Sequence, residues 1–334
     1  MGRVNLVVGR NNVGKTTFLE AIHLYASPNA LYTAIQLLRR RHEYAVAQND
    51  DHVVLNGLFY RNGESLTQIE IGEINDQKKL SLHSMWRSPE KDVHSGQYHY
   101  SNDPGETGDA TEVLMEQRGS GSRRFIDLQA NRTLTMPTVT HRYSDRHTCL
   151  FLFATDLGEE EKLDSAELWD RVVIADNEQA VVDILRLIEP DLERIVMVQG
   201  RSSGRFAMAK RSHQKPIPLR SLGDGMNRLF ELALGLVNVE EGGVFLVDEI
   251  DSGLHFTTLV DVWRIIFDAA ARLNVQVFAT THSWECIEAF QKATTAYPAA
   301  GVLIRLERGP EGIRAESFSE EELAIITRES IEVR

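Results

Sequence analysis

Apolar positions in the second half of the chain follow two alternating patterns. Short runs rich in β-branched residues, as at 244–248 and 275–281, are typical of strands that are buried on both faces. Between them, apolar residues recur three and four positions apart and predict helices over 225–238, 255–273 and 283–292. Because strands that alternate with helices usually pair in parallel, we predict an α/β fold with a mostly parallel core sheet flanked by helices.

The first half of the chain predicts a different arrangement. Residues 30–41 have helical periodicity, whereas 53–60, 66–74 and 79–83 alternate apolar and polar residues between turns. These three segments predict an antiparallel β layer beside the parallel sheet. Residues 88–122 are rich in Gly, Ser, Asp and His with little periodicity, and we expect them to form a long surface insertion.

Turn and capping signals add further elements to this prediction. Hairpins are expected from 195–199 with 205–210 and from 302–307 with 313–318. Helix starts are expected at three places, namely Asp176 with Gln179, Ser283, and Ser319 with Glu322. The first of these helices should continue to about 188, because Pro190 follows it.

The segment after the first apolar run has the pattern of a phosphate-binding loop. Residues 4–8 predict a strand, and residues 9–16, GRNNVGKT, match G-x-x-x-x-G-K-[ST] in full. The two glycines let the backbone close around an anion, and the amides at the following helix start point at phosphate groups. Lys15 is expected to reach the β- and γ-phosphates, and the Thr16 hydroxyl to ligate magnesium. The candidate nucleotide-binding residues are Asn11, Asn12, Val13, Gly14, Lys15, Thr16 and Thr17.

Two adjacent carboxylates and a histidine follow later strands. Residues 242–255, GGVFLVDEIDSGLH, place Asp248 and Glu249 at the carboxyl end of a strand, where ligands bind in parallel sheets. We expect Asp248 to hold magnesium through water and Glu249 to take a proton from a water that attacks phosphate. His282 follows the next strand and is a candidate to hydrogen-bond the γ-phosphate, although a lone histidine there is more often structural.

Residues 219–236, LRSLGDGMNRLFELALGL, form a second candidate anion site, here called the signature segment. Ser221, Gly223 and Gly225 lie at the start of a predicted helix, where backbone amides favour an anion. One phosphate loop needs no second cradle, so we expect this segment to face the γ-phosphate held by another copy of the chain. The alternative is an ordinary helix-capping turn.

In this order, the four motifs resemble the ABC-type ATPase head. The closer resemblance is to its SMC/RecF/OLD branch, the overcoming-lysogenization-defect-like ATPases that are also grouped with AAA-family ATP-binding proteins. GRNNVGKTTFLEAI and FATTHS are similar to the motifs of that branch. The signature is S-x-G-x-G and not the transporter L-S-G-G-Q. DEIDSGLH stands where transporters have D-E-P-T-S-A-L-D, with His255 at the last position.

The resemblance implies one ABC-type ATPase head over 1–334. Its parts would be the phosphate loop and antiparallel β layer at 1–85, an insertion at 86–165, and a lobe with the signature and the carboxylates at 166–334. It implies ATP and Mg²⁺ as ligands and ATP hydrolysis as the activity. The implied roles are phosphate and magnesium binding for Lys15 and Thr16, magnesium binding for Asp248, the catalytic base for Glu249, and the γ-phosphate sensor for His282.

The resemblance also implies partners. Ser221 and Gly223 would complete the site of a second copy in a head-to-tail homodimer or higher homo-oligomer, and ATP-dependent dimerisation would regulate a DNA-repair or anti-phage activity. The chain has no long heptad run for an SMC-like coiled-coil arm. Too few residues follow His282 for the TOPRIM nuclease domain of OLD proteins, so we expect any such nuclease to be a separate effector chain. DNA is a further candidate partner, and no residue is assigned to a Gln loop.

Composition and charge narrow the class of protein. The chain has no apolar run long enough to span a membrane and no signal-peptide pattern, and its two cysteines are far apart, so we expect a reduced, cytoplasmic protein. The net charge of −13 argues against unspecific nucleic-acid binding. Basic residues nevertheless cluster between 193 and 228, either as a solvated hairpin near the phosphate site or as a polyanion-binding face.

Relatives carry one or two strands before the phosphate-loop strand, whereas almost nothing precedes Val4 here. Either residues are missing from the start of this sequence, or the lineage has lost that edge of the sheet. A lost strand would leave an exposed edge, which another subunit would be expected to cover.

Two other functions compete with the ATP-driven dimer. One is a nucleotide-gated scaffold with little turnover, against which Glu249 argues. The other is a transporter ATPase subunit, against which the signature argues.

Overall fold

A computed structural model describes twelve ranges of the chain. These are residues 1–41, 58–61, 64–65, 67–72, 79–92, 97–103, 111–121, 123–127, 147–154, 165–200, 204–310 and 312–333. The α-helices of these ranges are α1 (Lys15–Ala26), α2 (Ala30–Arg40), α3 (Ser165–Ile174), α4 (Glu178–Leu185), α5 (Asp224–Asn238), α6 (Leu259–Arg272), α7 (Trp284–Thr294) and α8 (Glu320–Arg328).

The strands of the described ranges belong to several sheets. They are β1 (Val4–Val8), β2 (Tyr60–Arg61), β3 (Glu64–Ser65), β4 (Gln68–Ile71), β5 (Leu80–Lys91), β6 (Tyr98–Ser101), β7 (Thr111–Arg118), β8 (Arg124–Asp127), β9 (His147–Leu152), β10 (Leu192–Gln199), β11 (Arg205–Arg211), β12 (Ile217–Pro218), β13 (Val239–Val247), β14 (Gln276–Thr280), β15 (Gly301–Gly309) and β16 (Gly312–Phe318).

The largest sheet of the described residues has the order β16-β15-β1-β14-β13-β9. The five strands from β15 to β9 pair in parallel, and β16 pairs antiparallel with β15. All five residues of β1 are buried, as expected for a strand covered on both faces. The predicted α/β fold with a mostly parallel core sheet is therefore confirmed.

The phosphate-loop strand lies inside this sheet. Val4 of β1 is in register with Val277 of β14 on one side and with Gly301 of β15 on the other. The strand beside β1 is therefore supplied by the second half of the chain. The exposed edge that a lost strand would leave does not lie at β1, because β15 pairs along that side.

Contacts divide the chain into two compact units, the first with residues 1–19 and 141–334 and the second with residues 20–140. In the first, α5, α6 and α7 pack against the parallel sheet around buried aromatic rings, including Phe245 and Trp263. Gly235 of α5 allows this close packing, because an added Cβ there would lie 2.3 Å from the Phe245 ring. The subdivision of the chain at 85 and 165 stays a prediction.

The second unit contains an antiparallel sheet in the order β4-β5-β7-β8, with β6 paired to β5. This agrees with the predicted antiparallel layer, although most of the predicted strand at 53–60 lies outside the described residues. The expectation of an irregular insertion at 88–122 is wrong for its described part. Strand β7 lies within it, and Val113, Leu114 and Met115 are buried.

Helix caps confirm two of the three predicted helix starts. The Ser283 hydroxyl accepts a hydrogen bond from the amide of Cys286, and Ser319 forms a capping box with Glu322. The third is wrong, because Asn177 takes the N-cap position of α4 and Asp176 has a left-handed φ of 53°. Among the described helices, none has both the length and the apolar character that crossing a bilayer requires.

Acid should destabilise the protein through His23 on α1, because burial lowers the pKa of this side chain to about 4. Unfolding restores a pKa near 6.5, so the unfolded chain binds more protons between these values and stability falls as pH decreases through this window. Between pH 7 and pH 5, the free energy of unfolding should therefore fall by up to about 2 kcal/mol less in His23→Gln than in wild type. Urea unfolding at both pH values measures this, with His99→Gln, an exposed imidazole, as the control. An unchanged pH dependence in His23→Gln would contradict the prediction.

Candidate functional site

The loop between β1 and α1 adopts backbone conformations that its sequence makes accessible. Gly9 has φ 145°, and an added Cβ would lie 2.4 Å from the Leu306 carbonyl oxygen, so only glycine fits there. Asn12 and Gly14 are also left-handed, with φ of 60° and 97°. The residues around the helix start, Thr16 and Thr17, are exposed. The loop therefore leads into a helix N-terminus with exposed residues, which suits anion binding.

Lys15 lies at the centre of this loop and is 6% exposed. Its ammonium group donates to the carbonyl oxygens of Gly9 at 2.8 Å and Arg10 at 3.1 Å. Burial lowers the pKa of Lys15, while Asp248 and Glu249 act in the opposite direction. A buried cation that points into an anion-binding loop is suited to a phosphate group.

Asp248 follows β13 and joins α1 to β14 at the carboxyl edge of the sheet. Its carboxylate accepts hydrogen bonds from the Thr16 hydroxyl at 2.9 Å and from the Thr280 hydroxyl at 2.5 Å. The residue is almost fully buried, at 7% exposure. These oxygen donors fit Mg²⁺, which prefers carboxylate and hydroxyl ligands together with water. Thr16 and Asp248 would hold that ion, which would neutralise phosphate charge when bound.

Glu249 and His282 lie next to Lys15. Glu249 has a left-handed φ of 46°, and its amide donates to the Thr280 hydroxyl at 2.8 Å. Its carboxylate is 3.9 Å from Nε2 of His282, and both side chains are partly open to solvent, at 45% and 39% exposure. This strained turn therefore places a carboxylate where it can meet water and a ligand.

The tautomer of His282 follows from its contacts. Burial and the neighbouring Lys15 ammonium lower the pKa of His282, which favours the neutral imidazole. Lys15 Nζ lies 3.3 Å from Nδ1 and can only donate, so Nδ1 accepts and Nε2 carries the proton. The Nε2–H group thus lies on the side of the ring that is near the Glu249 carboxylate.

Arg228 is a site residue that sequence reasoning missed. It is buried on α5, and its guanidinium donates to the carbonyl oxygens of Asp248 at 2.6 Å, Glu249 at 3.1 Å and Phe153 at 3.1 Å. Burial is the main reason that the pKa of Arg228 is lowered. These bonds hold the turn that carries both carboxylates. The sequence did contain a signal for this role, because Arg228 is a single cation on an otherwise apolar face of α5. The sequence interpretation instead grouped it with surface arginines.

The structure does not bring the signature segment to the phosphate loop of its own chain. Ser221 is an exposed residue of the 3-10 turn Leu219–Leu222, and Gly223, with φ 100°, is the N-cap of α5. Gly225 packs against the turn after the carboxylates, where an added Cβ would lie 2.9 Å from the Gly253 carbonyl oxygen. In the described part of the chain, no hydrogen bond joins these three residues to the loop.

Several basic residues of the cluster between 193 and 228 are paired with neighbouring acids. Arg205 pairs with Asp170, and Lys210 pairs with Glu193 at 2.9 Å. Arg211 approaches Glu189 at 3.5 Å. The paired charges favour the solvated hairpin over a polyanion-binding face, because an ion-paired cation offers little attraction to a phosphate backbone. His255, at the other end of the carboxylate motif, accepts a hydrogen bond from the amide of Thr257.

The sheet order, the loop around Lys15 and the hydrogen bond between Thr16 and Asp248 are those of a P-loop ATPase. Residues 4–287 match the family described as "AAA domain, putative AbiEii toxin, Type IV TA system". The chain belongs to this family, and the predicted ATPase activity is confirmed. No curated protein matches the sequence.

Three similar solved structures are SMC heads. The SMC head bound to the C-winged helix domain of ScpA is 13% identical, with 96% of this chain and 92% of that chain covered and a TM-score of 0.48. A head domain with an extended coiled coil, bound to the C-terminal domain of ScpA from Pyrococcus furiosus, is 11% identical, with coverages of 98% and 93% and a TM-score of 0.45. The SMC head domain from Thermotoga maritima is 13% identical, with coverages of 95% and 90% and a TM-score of 0.39.

Proposed function

We propose that this ATPase hydrolyses ATP between two copies of the chain and that the ATP-bound dimer controls a separate effector. The observation that carries the proposal is the 2.9 Å hydrogen bond between Thr16 and Asp248. It joins the phosphate loop to the carboxylate strand, so that Lys15, Glu249 and His282 surround one position. This is the arrangement needed to bind a triphosphate and attack its last phosphate.

In this proposal, the loop from Asn11 to Thr17 binds the phosphates through its amides. The Lys15 ammonium leaves the carbonyls of Gly9 and Arg10 and binds the β- and γ-phosphates, which compensate its buried charge better than neutral oxygens do. Thr16 and Asp248 would hold Mg²⁺. The Thr280 hydroxyl donates to the Asp248 carboxylate and accepts from the Glu249 amide, so it holds the Asp248 side chain against the turn that carries Glu249.

Hydrolysis then requires a general base for the attacking water and a hydrogen-bond donor for the γ-phosphate. Glu249 takes a proton from water as the water oxygen bonds to the γ-phosphorus, and the bond from that phosphorus to the bridging oxygen of ADP breaks. The Nε2–H of His282 donates to a γ-phosphate oxygen as charge develops there. Lys15 stabilises the negative charge that the departing ADP gains. The products are ADP and phosphate.

The second copy would supply the signature segment. Ser221 and Gly223 are exposed at the start of α5, with free space beside Gly223, and no hydrogen bond among the described residues ties them to their own phosphate loop. A serine and a glycine at the N-terminus of a 15-residue helix are suited to a γ-phosphate presented from outside. A head-to-tail dimer brings two such segments to two loops, so two sites form together.

The family match and the sequence motifs are the two reasons for proposing a separate effector. The family description names a putative toxin of a type IV toxin–antitoxin system, and the motifs resemble the OLD branch of defence ATPases. We therefore propose that dimerisation regulates an anti-phage or DNA-repair activity through a separate effector, such as a TOPRIM-like nuclease, with DNA as a further partner. Membership of the OLD branch and a cytoplasmic location belong to this proposal.

Ser221→Arg tests the composite site. Ser221 makes no hydrogen bond to its own loop, so the variant should bind ATP with wild-type affinity, but the added side chain blocks the partner's γ-phosphate and hydrolysis should fall by about 100-fold or more. Mixing Ser221→Arg with Lys15→Ala should restore activity, because each mixed dimer contains one intact loop facing one intact signature segment. Weakened ATP binding in Ser221→Arg alone, measured by calorimetry, would contradict this assignment.

A further inference from the structure

The hairpin of β15 and β16 borders the phosphate loop on the side away from the carboxylates. Strand β15 lies next to β1, so its carboxyl end is at the same edge of the sheet as the loop. Arg308, close to that end, donates to the carbonyl oxygen of Asn12 at 3.4 Å. Ile313 at the start of β16 covers Gly14, where an added Cβ would lie 3.2 Å from its Cδ1 atom. The hairpin is thus a wall of the loop.

One face of this hairpin changes from buried to open as it passes the loop. Ile304 and Leu306 on β15 pack with Val7 and Val13, and Phe18 of α1 covers them. Alternation along β15 puts Arg308 on the same face, and Ile313 is its cross-strand partner. Ile313 is nevertheless 54% exposed. An apolar face that is covered by the loop and α1 therefore continues, uncovered, past the loop.

We propose that this continuation, formed by Ile313, Ala315 and Arg308, is the subsite for the base of the bound nucleotide. Ala315 is the cross-strand partner of Leu306 and is also exposed. Ile313 and Ala315 therefore form a small apolar surface on the exposed part of this face. A purine is planar and apolar on its faces, and the Arg308 guanidinium can stack on such a ring. The proposal rests on the ATP site assigned above and adds the contact that tells a nucleotide from a bare phosphate chain.

The position of the loop supports this occupant. The phosphates at the start of α1 lie between the carboxylate strands on one side of β1 and the hairpin on the other. The carboxylate side is occupied by Asp248, Glu249 and His282, so the nucleoside has to leave the loop in another direction. On the hairpin side it meets an apolar surface whose burial is favourable and no carboxylate of the catalytic turn.

Ile313→Ser tests the subsite by comparing ATP with inorganic triphosphate, each with Mg²⁺, in calorimetry. Losing apolar contact with a base should raise the Kd for ATP about five- to tenfold. The affinity for inorganic triphosphate, which has no base, should not change. Ile325→Ser is the matched control, because Ile325 on α8 is 47% exposed and has no place in the proposed subsite; its affinities for both ligands should equal those of wild type.

Three other results would overturn the proposal. Equal loss of affinity for both ligands would mean that Ile313 only supports the loop, and unchanged ATP affinity would mean that the base lies elsewhere. If wild-type protein bound neither ligand, the ATP site itself would be wrong and the subsite with it. The first two results leave the proposed function intact, so the two failures are distinguishable.

Discussion

Lys15→Ala weakens ATP binding by at least about 100-fold, because a charge-assisted contact with the β- and γ-phosphates is lost in a largely buried position. Hydrolysis and any ATP-dependent association are lost with it. The structure adds a reason specific to this chain. The Lys15 ammonium already donates hydrogen bonds to the carbonyl oxygens of Gly9 and Arg10, so the loop is folded around this cation before a nucleotide binds. Calorimetric titration with ATP and Mg²⁺ measures the effect.

Arg10→Ala is the matched control for this prediction. It removes the same formal charge from the same loop, but Arg10 is exposed and its contact with Lys15 is made by its backbone. We expect a change of less than about threefold, since an exposed charge is screened by water and salt. Equal losses in both variants would mean that the loop attracts phosphate by net charge alone. A melting temperature close to wild type would show that Lys15→Ala remains folded.

Glu249→Gln reduces hydrolysis by about 10² to 10⁴-fold, the usual contribution of a general base, and leaves ATP binding intact. The amide has nearly the shape of the carboxylate, so the turn held by Arg228 and Thr280 should persist. The variant should therefore accumulate the ATP-bound state. A steady-state phosphate-release assay beside an ATP titration measures both quantities.

Asp251→Asn, in the same turn, is the matched control for Glu249→Gln. It also exchanges a carboxylate for an amide, but Asp251 accepts a hydrogen bond from the Thr281 hydroxyl at 2.6 Å and has no assigned part in the chemistry. We expect its hydrolysis rate to fall far less than that of Glu249→Gln. A wild-type rate in Glu249→Gln would remove Glu249 from the role of base.

Local motifs made much of the site predictable. The phosphate loop depends on the spacing of Gly9, Gly14 and Lys15, and the carboxylates depend on a strand that ends at Asp248, so both can be found in a short stretch of sequence. Parallel pairing then brings strand ends to one edge, which is why Thr16, Asp248 and His282 were expected together. The structure places Lys15 and Thr16 in contact with His282 and Asp248, respectively.

Features that depend on pairing between distant segments were not predictable. Strand β15 pairs with β1, although about 290 residues separate them in the sequence, and no local sequence signal predicts this pairing. Strand β7 was missed because its central residues are apolar in succession and lack the alternation of a half-buried strand. Arg228 was grouped with surface cations, because only the packing of α5 places its guanidinium on the Asp248 carbonyl.

The most direct test of the ATP-gated dimer is light scattering of wild type, Glu249→Gln and Lys15→Ala, each with and without ATP and Mg²⁺. Phosphate release is measured on the same samples. We predict that ATP converts Glu249→Gln to a stable species of twice the starting mass, that wild type forms this species transiently, and that Lys15→Ala does not form it. An unchanged mass in all samples, together with full hydrolysis by wild type, would contradict the composite site and remove Ser221 and Gly223 from it.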